Sequence, residues 1–323
     1  MNTNVLIDPF GRRISYLRIS VTDRCNLRCA YCKPLEALQP RENLLRLEEI
    51  AEIAKVAVRL GISKVRITGG EPLVRKGIES LINMLSKIPG IDDLSLTTNG
   101  ILLKKYAKAL QAAGLMRINV SLDTLRDDRF RRLCGADSAR DVFEGLELAQ
   151  KIGLTPLKIN TVLIKGFNDD EVPDFVRLAG GKGWKLRFIE LMPFGNLPDK
   201  NFVSVEEIFK KIVETMTLKP LPSDGGVARR YMAGQNTEIG VITPLSNTFC
   251  GNCNRLRLTA SGKLRTCLLN DIEVDLVSRV RGRNMEDAVA EGFFSAAMKK
   301  PMGHSIHTAG FRKCARPMNS IGG

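Results

Sequence analysis

The stretch "SYLRISVTDRCNLRCAYC" (residues 15–32) joins a strand-like apolar run to a loop that holds three cysteines within eight positions. These cysteines, Cys25, Cys29 and Cys32, have the spacing CxxxCxxC, with no fourth cysteine nearby in the sequence. Structural zinc sites close four protein ligands, whereas three thiolates can hold an iron–sulfur cube whose fourth iron is left free. The spacing therefore favours an iron–sulfur cluster that can bind a substrate.

Outward from this stretch, strand-like and helical runs alternate six times over the first two-thirds of the chain. The predicted strands lie at 15–22, 65–70, 94–100, 117–123, 156–163 and 186–191. The predicted helices lie at 47–61, 78–89, 104–114, 139–152, 170–179 and 203–216, with one more at 285–300. This alternation indicates a parallel sheet, and the lack of a dinucleotide fingerprint after the first strand favours a barrel. We predict an α/β fold, an incomplete (βα)6 TIM-like barrel with a C-terminal iron–sulfur-binding extension.

Polar residues occupy alternate positions of the predicted strands, where a filled barrel would carry branched apolar side chains. Because successive side chains point to opposite faces of a strand, each polar pair shares one face. The pairs are Arg18 and Ser20, Arg66 and Thr68, Ser95 and Thr97, Asn119 and Ser121, and Lys158 and Asn160. We expect this face to line a wet cavity, because burying so many polar groups without a ligand is costly. The alternative is an open sheet whose polar side faces solvent.

The composition changes near "LKPLPSDGGVA" (218–228), where the βα repeat ends. We therefore expect two units, a partial barrel over 1–221 and a C-terminal module over 222–323. The module would carry a cluster of its own, for which its cysteines are the candidates.

A second group of three cysteines, Cys250, Cys253 and Cys267, lies in this module. A second open cluster is the preferred interpretation, and a zinc site completed by His304 or His307 is the alternative. The remaining cysteines stand alone in the sequence and are expected to be small buried or idle thiols. They are Cys134 and Cys314.

The formal net charge of +14 favours an anionic partner. Aromatic residues make up only 6% of the chain, which favours a small anion over single-stranded nucleic acid. The opening "MNTNVLIDPFGRR" (1–13) lacks the apolar core of a signal peptide, and no uncharged apolar run is long enough to cross a bilayer. We expect a cytoplasmic protein with no nucleic-acid or membrane partner, whose eight cysteines are not structural disulfides.

The loop "CNLRCAYC" (25–32) resembles the cluster-binding signature of the radical S-adenosylmethionine (SAM) superfamily, whose partial βα barrels carry it after the first strand. "GGEP" (69–72) resembles the stretch that contacts the methionine moiety of SAM, although alone it would also suit a turn. With both cysteine groups, the chain resembles the GTP 3′,8-cyclase family of molybdenum cofactor biosynthesis over nearly its whole length. The further stretches that carry this resemblance are "VRITGGEPLVRK" (65–76), "LTTNG" (96–100), "INVSLD" (118–123), "KGFNDDEV" (165–172), "LMPFG" (191–195), "FCGNCNRLRLTASGKLRTCLL" (249–269) and the terminal "GG" (322–323).

The resemblance implies two [4Fe–4S] clusters, one at each cysteine group, with SAM as cofactor and GTP as substrate. The implied SAM contacts are Tyr31, Gly70, Ser121 and Met192. The implied GTP contacts are Arg18, Arg66, Thr97, Lys158, Arg255, Leu256 and Arg257. The implied catalytic residues are Cys25, Cys29, Cys32, Arg257, Gly322 and Gly323.

The residue types agree with part of this assignment. Arginine forks and a lysine point charge together can hold several phosphate oxygens, which suits the cations of the predicted cavity face to a triphosphate. Arg255 and Arg257 would equally suit an exposed edge strand defended by cations. Gly322 and Gly323 alone would indicate a fraying tail, whereas the resemblance implies that they reach the catalytic cavity and are needed for turnover.

The resemblance also implies the reaction. A 5′-deoxyadenosyl radical made from SAM at the first cluster takes the 3′ hydrogen of GTP, and the sugar carbon closes on guanine C8 while the second cluster anchors the base. Its implied partners are a low-potential electron donor and a downstream pterin-forming enzyme, and the chain would act as a monomer or homodimer. The alternatives are a radical SAM enzyme that modifies peptides and a zinc-dependent nucleic-acid-binding protein.

Overall fold

The computed structural model describes residues 5–32, 38–137, 139–194, 197, 199–306 and 313–322. Within these residues a 12-stranded sheet forms, in the order β12-β11-β10-β1-β2-β3-β4-β5-β6-β9-β8-β7. Its strands are β1 (Tyr16–Ser20), β2 (Lys64–Thr68), β3 (Asp93–Thr98), β4 (Arg117–Ser121), β5 (Lys158–Leu163), β6 (Lys185–Glu190), β7 (Leu218–Leu221), β8 (Arg229–Ala233), β9 (Thr237–Ile242), β10 (Arg255–Leu258), β11 (Lys263–Arg265) and β12 (Glu273–Asp275).

The helices connect these strands and cover the sheet. They are α1 (Leu47–Arg59), α2 (Ile78–Ser86), α3 (Leu103–Ala112), α4 (Asp127–Cys134), α5 (Ala139–Lys151), α6 (Val172–Lys182), α7 (Val205–Val213), α8 (Val277–Val280), α9 (Met285–Met298) and α10 (Met318–Ile321). Short 3-10 turns lie at Arg41–Asn43, Pro72–Val74, Asp169–Glu171, Asp199–Asn201 and Cys250–Asn252. In the described part of the chain we find no helix that combines the length and apolar character required to span a bilayer.

The middle of the sheet is parallel and its ends stay apart. Strands β1 to β6 run parallel in sequence order, and β10 and β9 add to them as parallel strands on either side. The outermost strands, β12 and β7, pair with each other nowhere in the described ranges. The prediction of an incomplete α/β barrel is therefore confirmed.

The alternation along the strands separates the core from the polar face. On β1, Leu17 and Ile19 are fully buried in the hydrophobic core, while Arg18 points to the other face. The register aligns Arg18 with Arg66 on β2 and with Arg257 on β10. Three arginines of neighbouring strands therefore stand side by side.

The six predicted strands and the predicted helices all form, within a few residues of the expected ends. The sequence pattern missed α4, α8, α10 and the six short strands β7 to β12. These strands lie on both flanks of the parallel core, so the sheet continues across the boundary placed between residues 221 and 222. The division into two domains stays a prediction.

Candidate active site

A cavity of about 400 Å³ runs along the polar face of the sheet to the carboxyl ends of the parallel strands. Both cysteine groups line it. We call Cys25, Cys29 and Cys32 the first triad, and Cys250, Cys253 and Cys267 the second triad. A volume of this size suits a small-molecule site, and the two triads share it.

The first triad lies on the loop that follows β1, and the end of β2 holds that loop. The amide of Gly70 donates to the carbonyl of Thr22 at 2.7 Å, and the amide of Glu71 donates to the carbonyl of Arg24 at 2.8 Å. A Cβ atom on Gly70 would overlap the backbone of Asp23 and Arg24. Glycine is therefore required for this close approach of the loop.

The same loop is tied to the ends of β3 and β4. Asn99 donates from Nδ2 to Oδ1 of Asn26 at 2.8 Å, and the hydroxyl of Tyr31 donates to Oδ2 of Asp123 at 2.7 Å. Burial raises the pKa of Asp123 to about 6. Glu71 accepts from the hydroxyl of Thr98 and the amide of Asn99, and burial raises its pKa to about 7. Buried hydrogen bonds of Glu71 and Asp123 thus hold the first triad at the carboxyl end of the sheet.

Cys134, at the end of α4, packs behind the first triad. It is buried, and its proximity to Cys29, together with burial, raises the pKa of the Cys29 thiol. Two backbone bonds hold α4 to the loop, from Arg28 to the carbonyl of Cys134 and from Ala30 to the carbonyl of Leu133. Cys134 lies outside the cavity lining, which agrees with the expected buried thiol, and Cys314 is half-buried near the carbonyl of Leu268.

The second triad lies on the segments on either side of the β10–β11 hairpin. Cys250 begins a 3-10 turn, Cys253 is separated from β10 by Asn254, and Cys267 follows β11. Burial alone would raise the pKa of Cys253, but the charges of Arg255 and Lys300 outweigh it and lower the pKa to about 6. A thiolate is therefore favoured at this position.

The donor set fits iron–sulfur clusters. Thiolate is the ligand that these clusters use, and N–H groups near cluster sulfurs tune their potentials. The amide of Leu27 lies 3.4 Å from Sγ of Cys25, and the amide of Leu269 lies 3.4 Å from Sγ of Cys267. Within the described ranges no three Cys, His, Asp or Glu side chains are grouped for a metal ion. In a cube each ligand sulfur binds a different iron.

Cations crowd the cavity between the triads. Arg18, Arg66 and Arg257 are buried, and burial together with the neighbouring arginines lowers the pKa of each. For Arg18 the pKa is lowered to about 10. Arg255 also lines the cavity, with its guanidinium 5.0 Å from the ring centre of Phe249. Because like charges repel at short range, an anion that enters the cavity relieves this repulsion.

Lys158 and Arg187 extend the cationic surface onto β5 and β6. Burial, followed by the charges of Arg187 and Arg117, lowers the pKa of Lys158 to about 7. Burial and Arg66 lower the pKa of Arg187 to about 10. Sequence analysis missed Arg187, although the alternation in "LRFIEL" (186–191) places it on the same face as Lys158.

Lys64 and Asn160 are among the other polar residues of the cavity to which the sequence pattern assigned no role. Lys64, at the start of β2, lines the cavity. Asn160 on β5 also lines it, and its buried Oδ1 has no hydrogen-bond partner among the described residues. A buried acceptor without a partner is costly, so Asn160 suits a ligand that donates a hydrogen bond.

Most of the remaining expected contacts also line the cavity. They are Tyr31, Gly70, Thr97, Ser121 and Met192. Leu256 does not, because its side chain points to the opposite face of β10 and is fully buried in the hydrophobic core. A GTP contact at Leu256 would therefore have to involve its backbone, and this contact stays a prediction.

The C-terminal segment returns to the polar face of the sheet. Asn319 on α10 donates to the carbonyl of Asp23 at 2.9 Å, and Arg257 donates to the carbonyl of Gly322. Gly322 has a φ of 81°, and a Cβ atom there would overlap the hydroxyl of Thr68. Gly323, like His307, lies outside the described residues. His304 lines the cavity, with Nε2 at 2.7 Å from the carbonyl of Pro244.

Comparison with known proteins gives close relatives over the full length. The family model "Radical SAM superfamily" matches residues 19–179, and "Molybdenum Cofactor Synthesis C" matches residues 184–306. The GTP 3′,8-cyclase of Moorella thermoacetica is 47% identical over 323 residues, which cover 98% of this chain and 99% of that protein. The GTP 3′,8-cyclase of Peptoclostridium acidaminophilum is 46% identical over 329 residues, which cover 100% of this chain and 99% of that protein.

Solved structures share the fold at low identity. Streptococcus suis SuiB bound to the precursor peptide SuiA matches with a TM-score of 0.63 and 15% identity, over 91% of this chain and 67% of that chain. Native anSMEcpe with bound AdoMet matches with a TM-score of 0.59 and 17% identity, over 86% of this chain and 80% of that chain. These likenesses show the fold alone.

Replacing Lys158 by methionine should remove a pH dependence of anion binding. Since the pKa of Lys158 is lowered to about 7, the side chain is charged below that pH and loses its charge above it in the ligand-free protein. The affinity for inorganic triphosphate should then fall by about tenfold between pH 7 and pH 9 in the parent protein. Titration calorimetry over this range should give a weaker and flatter profile for Lys158→Met.

The matched control is Lys108→Met, because Lys108 is exposed on α3, away from the cavity. This variant should keep the parent profile. The groups that act on the Lys158 charge are Arg187, Arg117, Asp224 and Arg66, and none of them is changed in either variant. If the affinity for triphosphate changed with pH equally in the parent and in Lys158→Met, Lys158 would not be the group that causes the pH dependence. Ionisation of triphosphate itself affects both proteins equally and does not alter this comparison.

Proposed function

The chain belongs to the GTP 3′,8-cyclase family of radical SAM enzymes, and we propose that the cavity between its two triads is the site where GTP is cyclised. The reaction converts GTP into (8S)-3′,8-cyclo-7,8-dihydroguanosine 5′-triphosphate, the first step of molybdenum cofactor biosynthesis. The observation that carries the proposal is that both triads and the buried cations line the same cavity.

We infer that the first triad holds the cluster that binds SAM and the second triad holds the cluster that faces the nucleotide. When bound and reduced at the first triad, cluster and SAM together supply the radical that takes the 3′ hydrogen of GTP. The chain's part at this end is orientation. Gly70 lets the end of β2 approach the cysteine loop, and Tyr31 is fixed by its bond to Asp123. Ser121 and Met192 line the cavity beside them.

The cationic surface binds the triphosphate. The aligned Arg18, Arg66 and Arg257 present guanidinium forks from three adjacent strands, and forks of this kind bind phosphate oxygens in pairs. Lys158 and Arg187 add two charges on β5 and β6. Because these groups are desolvated before the ligand arrives, phosphate binding there is stronger than at an exposed cluster of the same charge.

The terminal glycines complete the cavity in this proposal. The bond from Arg257 to the carbonyl of Gly322 links the C-terminal segment to a cation of the nucleotide site. The φ of Gly322 and its contact with Thr68 leave no space for a side chain. Gly323 lies outside the described residues, and we propose that it is needed for turnover together with Gly322.

GTP is the substrate partner, and we propose a low-potential electron donor and a downstream pterin-forming enzyme as the other partners. A cytoplasmic location, a monomer or homodimer, and a C-terminal module over 222–323 stay predictions. A peptide substrate was the nearest alternative. The 15% identity to the peptide-bound structure gives no argument for it.

Anaerobic incubation of the reconstituted protein with GTP, SAM and a strong reductant should yield 5′-deoxyadenosine together with a cyclised isomer of GTP. Mass analysis of both products checks this. 5′-Deoxyadenosine should form in stoichiometric amount with the isomer and depend on GTP. Formation of 5′-deoxyadenosine that requires a peptide and leaves GTP unchanged would overturn the proposal.

Cysteine variants separate the two clusters in the same assay. Replacing either triad by alanine should lower the iron content from about eight to about four atoms per chain and abolish the GTP isomer. Cys134→Ala and Cys314→Ala are the matched controls and should keep the full iron content, because both lie outside the cavity lining. Full iron content after the loss of a triad would exclude that triad as the cluster site.

Gly322→Ala should impair catalysis more than stability. Its methyl group would collide with Thr68, so the C-terminal segment must move away from Arg257. A displacement of about an ångström at such a site lowers turnover by roughly tenfold to a hundredfold. The measurement is kcat for the GTP isomer beside the free energy of unfolding.

The control is Gly153→Ala, because Gly153 has a similar φ of 85° and nothing within 4 Å of an added Cβ atom. It should lose about 1 to 2 kcal/mol of stability from backbone strain alone and keep the parent kcat. Equal kcat values for the two variants would contradict a catalytic role of the C-terminal segment.

A further inference from the structure

A lysine is buried behind the second triad. Lys300 follows the end of α9, where its amide donates to the carbonyl of Ala297 at 3.1 Å. Lys300 as a whole residue is only 3% exposed. Lysine is rarely this buried, because removing an ammonium group from water is costly unless each of its donors finds a partner.

All three N–H donors of the Lys300 ammonium group contact the second triad or the backbone beside it. Nζ lies 3.5 Å from Sγ of Cys253, 2.9 Å from the carbonyl of Arg255 and 2.9 Å from the carbonyl of Thr266. An ammonium group has three N–H donors, so its hydrogen-bonding capacity is filled. Arg255 follows Cys253 closely, and Thr266 directly precedes Cys267. Lys300 therefore joins the two chain segments that carry these cysteines.

Among the residues that the structure describes, no carboxylate balances the charge of Lys300. Within the described ranges Lys300 forms no ion pair with Asp or Glu, and Arg12 is a further cation nearby. The groups that can carry a negative charge near Lys300 are the thiols of Cys253 and Cys267. A cube held by three thiolates carries a net negative charge, which would balance the ammonium group.

We propose that Lys300 is a positioning residue for the second cluster, which it holds and stabilises through an N–H···S bond to Cys253 and through its positive charge. The inference rests on the proposed function, since it takes the second triad as a cluster site. A charge-assisted bond to a ligand sulfur stabilises the reduced cluster, so the reduction potential is higher with Lys300 than without it.

A second buried cation holds Lys300 in place from the other side. Arg12 donates to the carbonyl of Pro301 at 2.6 Å, to that of Met302 at 3.0 Å and to that of Cys250 at 2.6 Å. Nε of Arg12 also donates to Oδ2 of Asp8 at 2.5 Å, which fixes the guanidinium group. Arg12 thus ties the segment after α9 to Cys250 of the second triad, which keeps the ammonium group directed at Cys253.

The test uses the full chain with the first triad replaced by alanine, so that only the second cluster can form. In this parent we would compare Lys300→Met, which removes charge and donors, with Lys300→Gln, which keeps N–H donors without the charge. The matched control is Lys299→Met, because Lys299 is the adjacent residue and is exposed. Iron and sulfide content, the midpoint potential from an EPR-monitored redox titration, and far-UV circular dichroism are measured for each.

The parent and Lys299→Met should bind about four irons per chain and share one midpoint potential. Lys300→Met should shift that potential to a more negative value, and Lys300→Gln should shift it less. Loss of the cluster from a folded Lys300→Met also supports the proposal. If Lys300→Met is unfolded, the potential of Lys300→Gln decides.

Two results would overturn the inference. They differ in whether the second cluster itself is also refuted. A parent-like potential and iron content in Lys300→Met, or in Lys300→Gln if the methionine variant is unfolded, refutes the role of Lys300 and leaves the proposed function intact. A folded parent that binds no cluster refutes the second cluster itself, and the inference fails with it.

Discussion

The parallel pairing of β1 with β10 is the contact on which the rest of the structure depends. The two strands lie far apart in the sequence. The loop after β1 carries the first triad, and the turn before β10 carries two cysteines of the second. A parallel ladder fixes both the neighbours and the direction of each strand, so this pairing brings both triads to one cavity. A shift in register by one residue would move Arg257 to the wrong face.

The pairing also creates a repulsion that the fold must tolerate. Arg257, Arg18 and Arg66 stand in one row across β10, β1 and β2, and burial together with the repulsion from neighbouring arginines lowers the pKa of each. The backbone ladder and the apolar face beneath, with Leu17 and Ile19, hold these strands together. An arrangement that is unfavourable in the empty protein is thereby ready for a highly charged anion, with little reorganisation on binding. The register of the sheet therefore contributes to anion affinity, because it fixes the three arginines next to one another.

The sequence predicted what local periodicity determines, and missed what distant contacts determine. The strand period of two located Arg18, Arg66 and Lys158 on one face, and the helix period located α1 to α3 and α5 to α7. The strands β7 to β12 are three to six residues long, and they join the parallel core only through the pairing of β9 with β6 and the long-range pairing of β10 with β1. Arg187 was within reach of the same alternation argument. The burial of Lys300 was not, because it depends on the second triad folding beside the end of α9.

The central claim is that two clusters, each with one iron not bound by the chain, face the same cavity. Mössbauer spectroscopy of the 57Fe-reconstituted protein tests it most directly, because it resolves the ligand environment of individual irons. The account predicts about eight irons, with one distinct iron in each cluster. SAM should change the signal of one distinct iron and GTP that of the other. A spectrum in which all irons of either cluster are bound by the chain, or in which GTP changes no iron signal, would contradict the account.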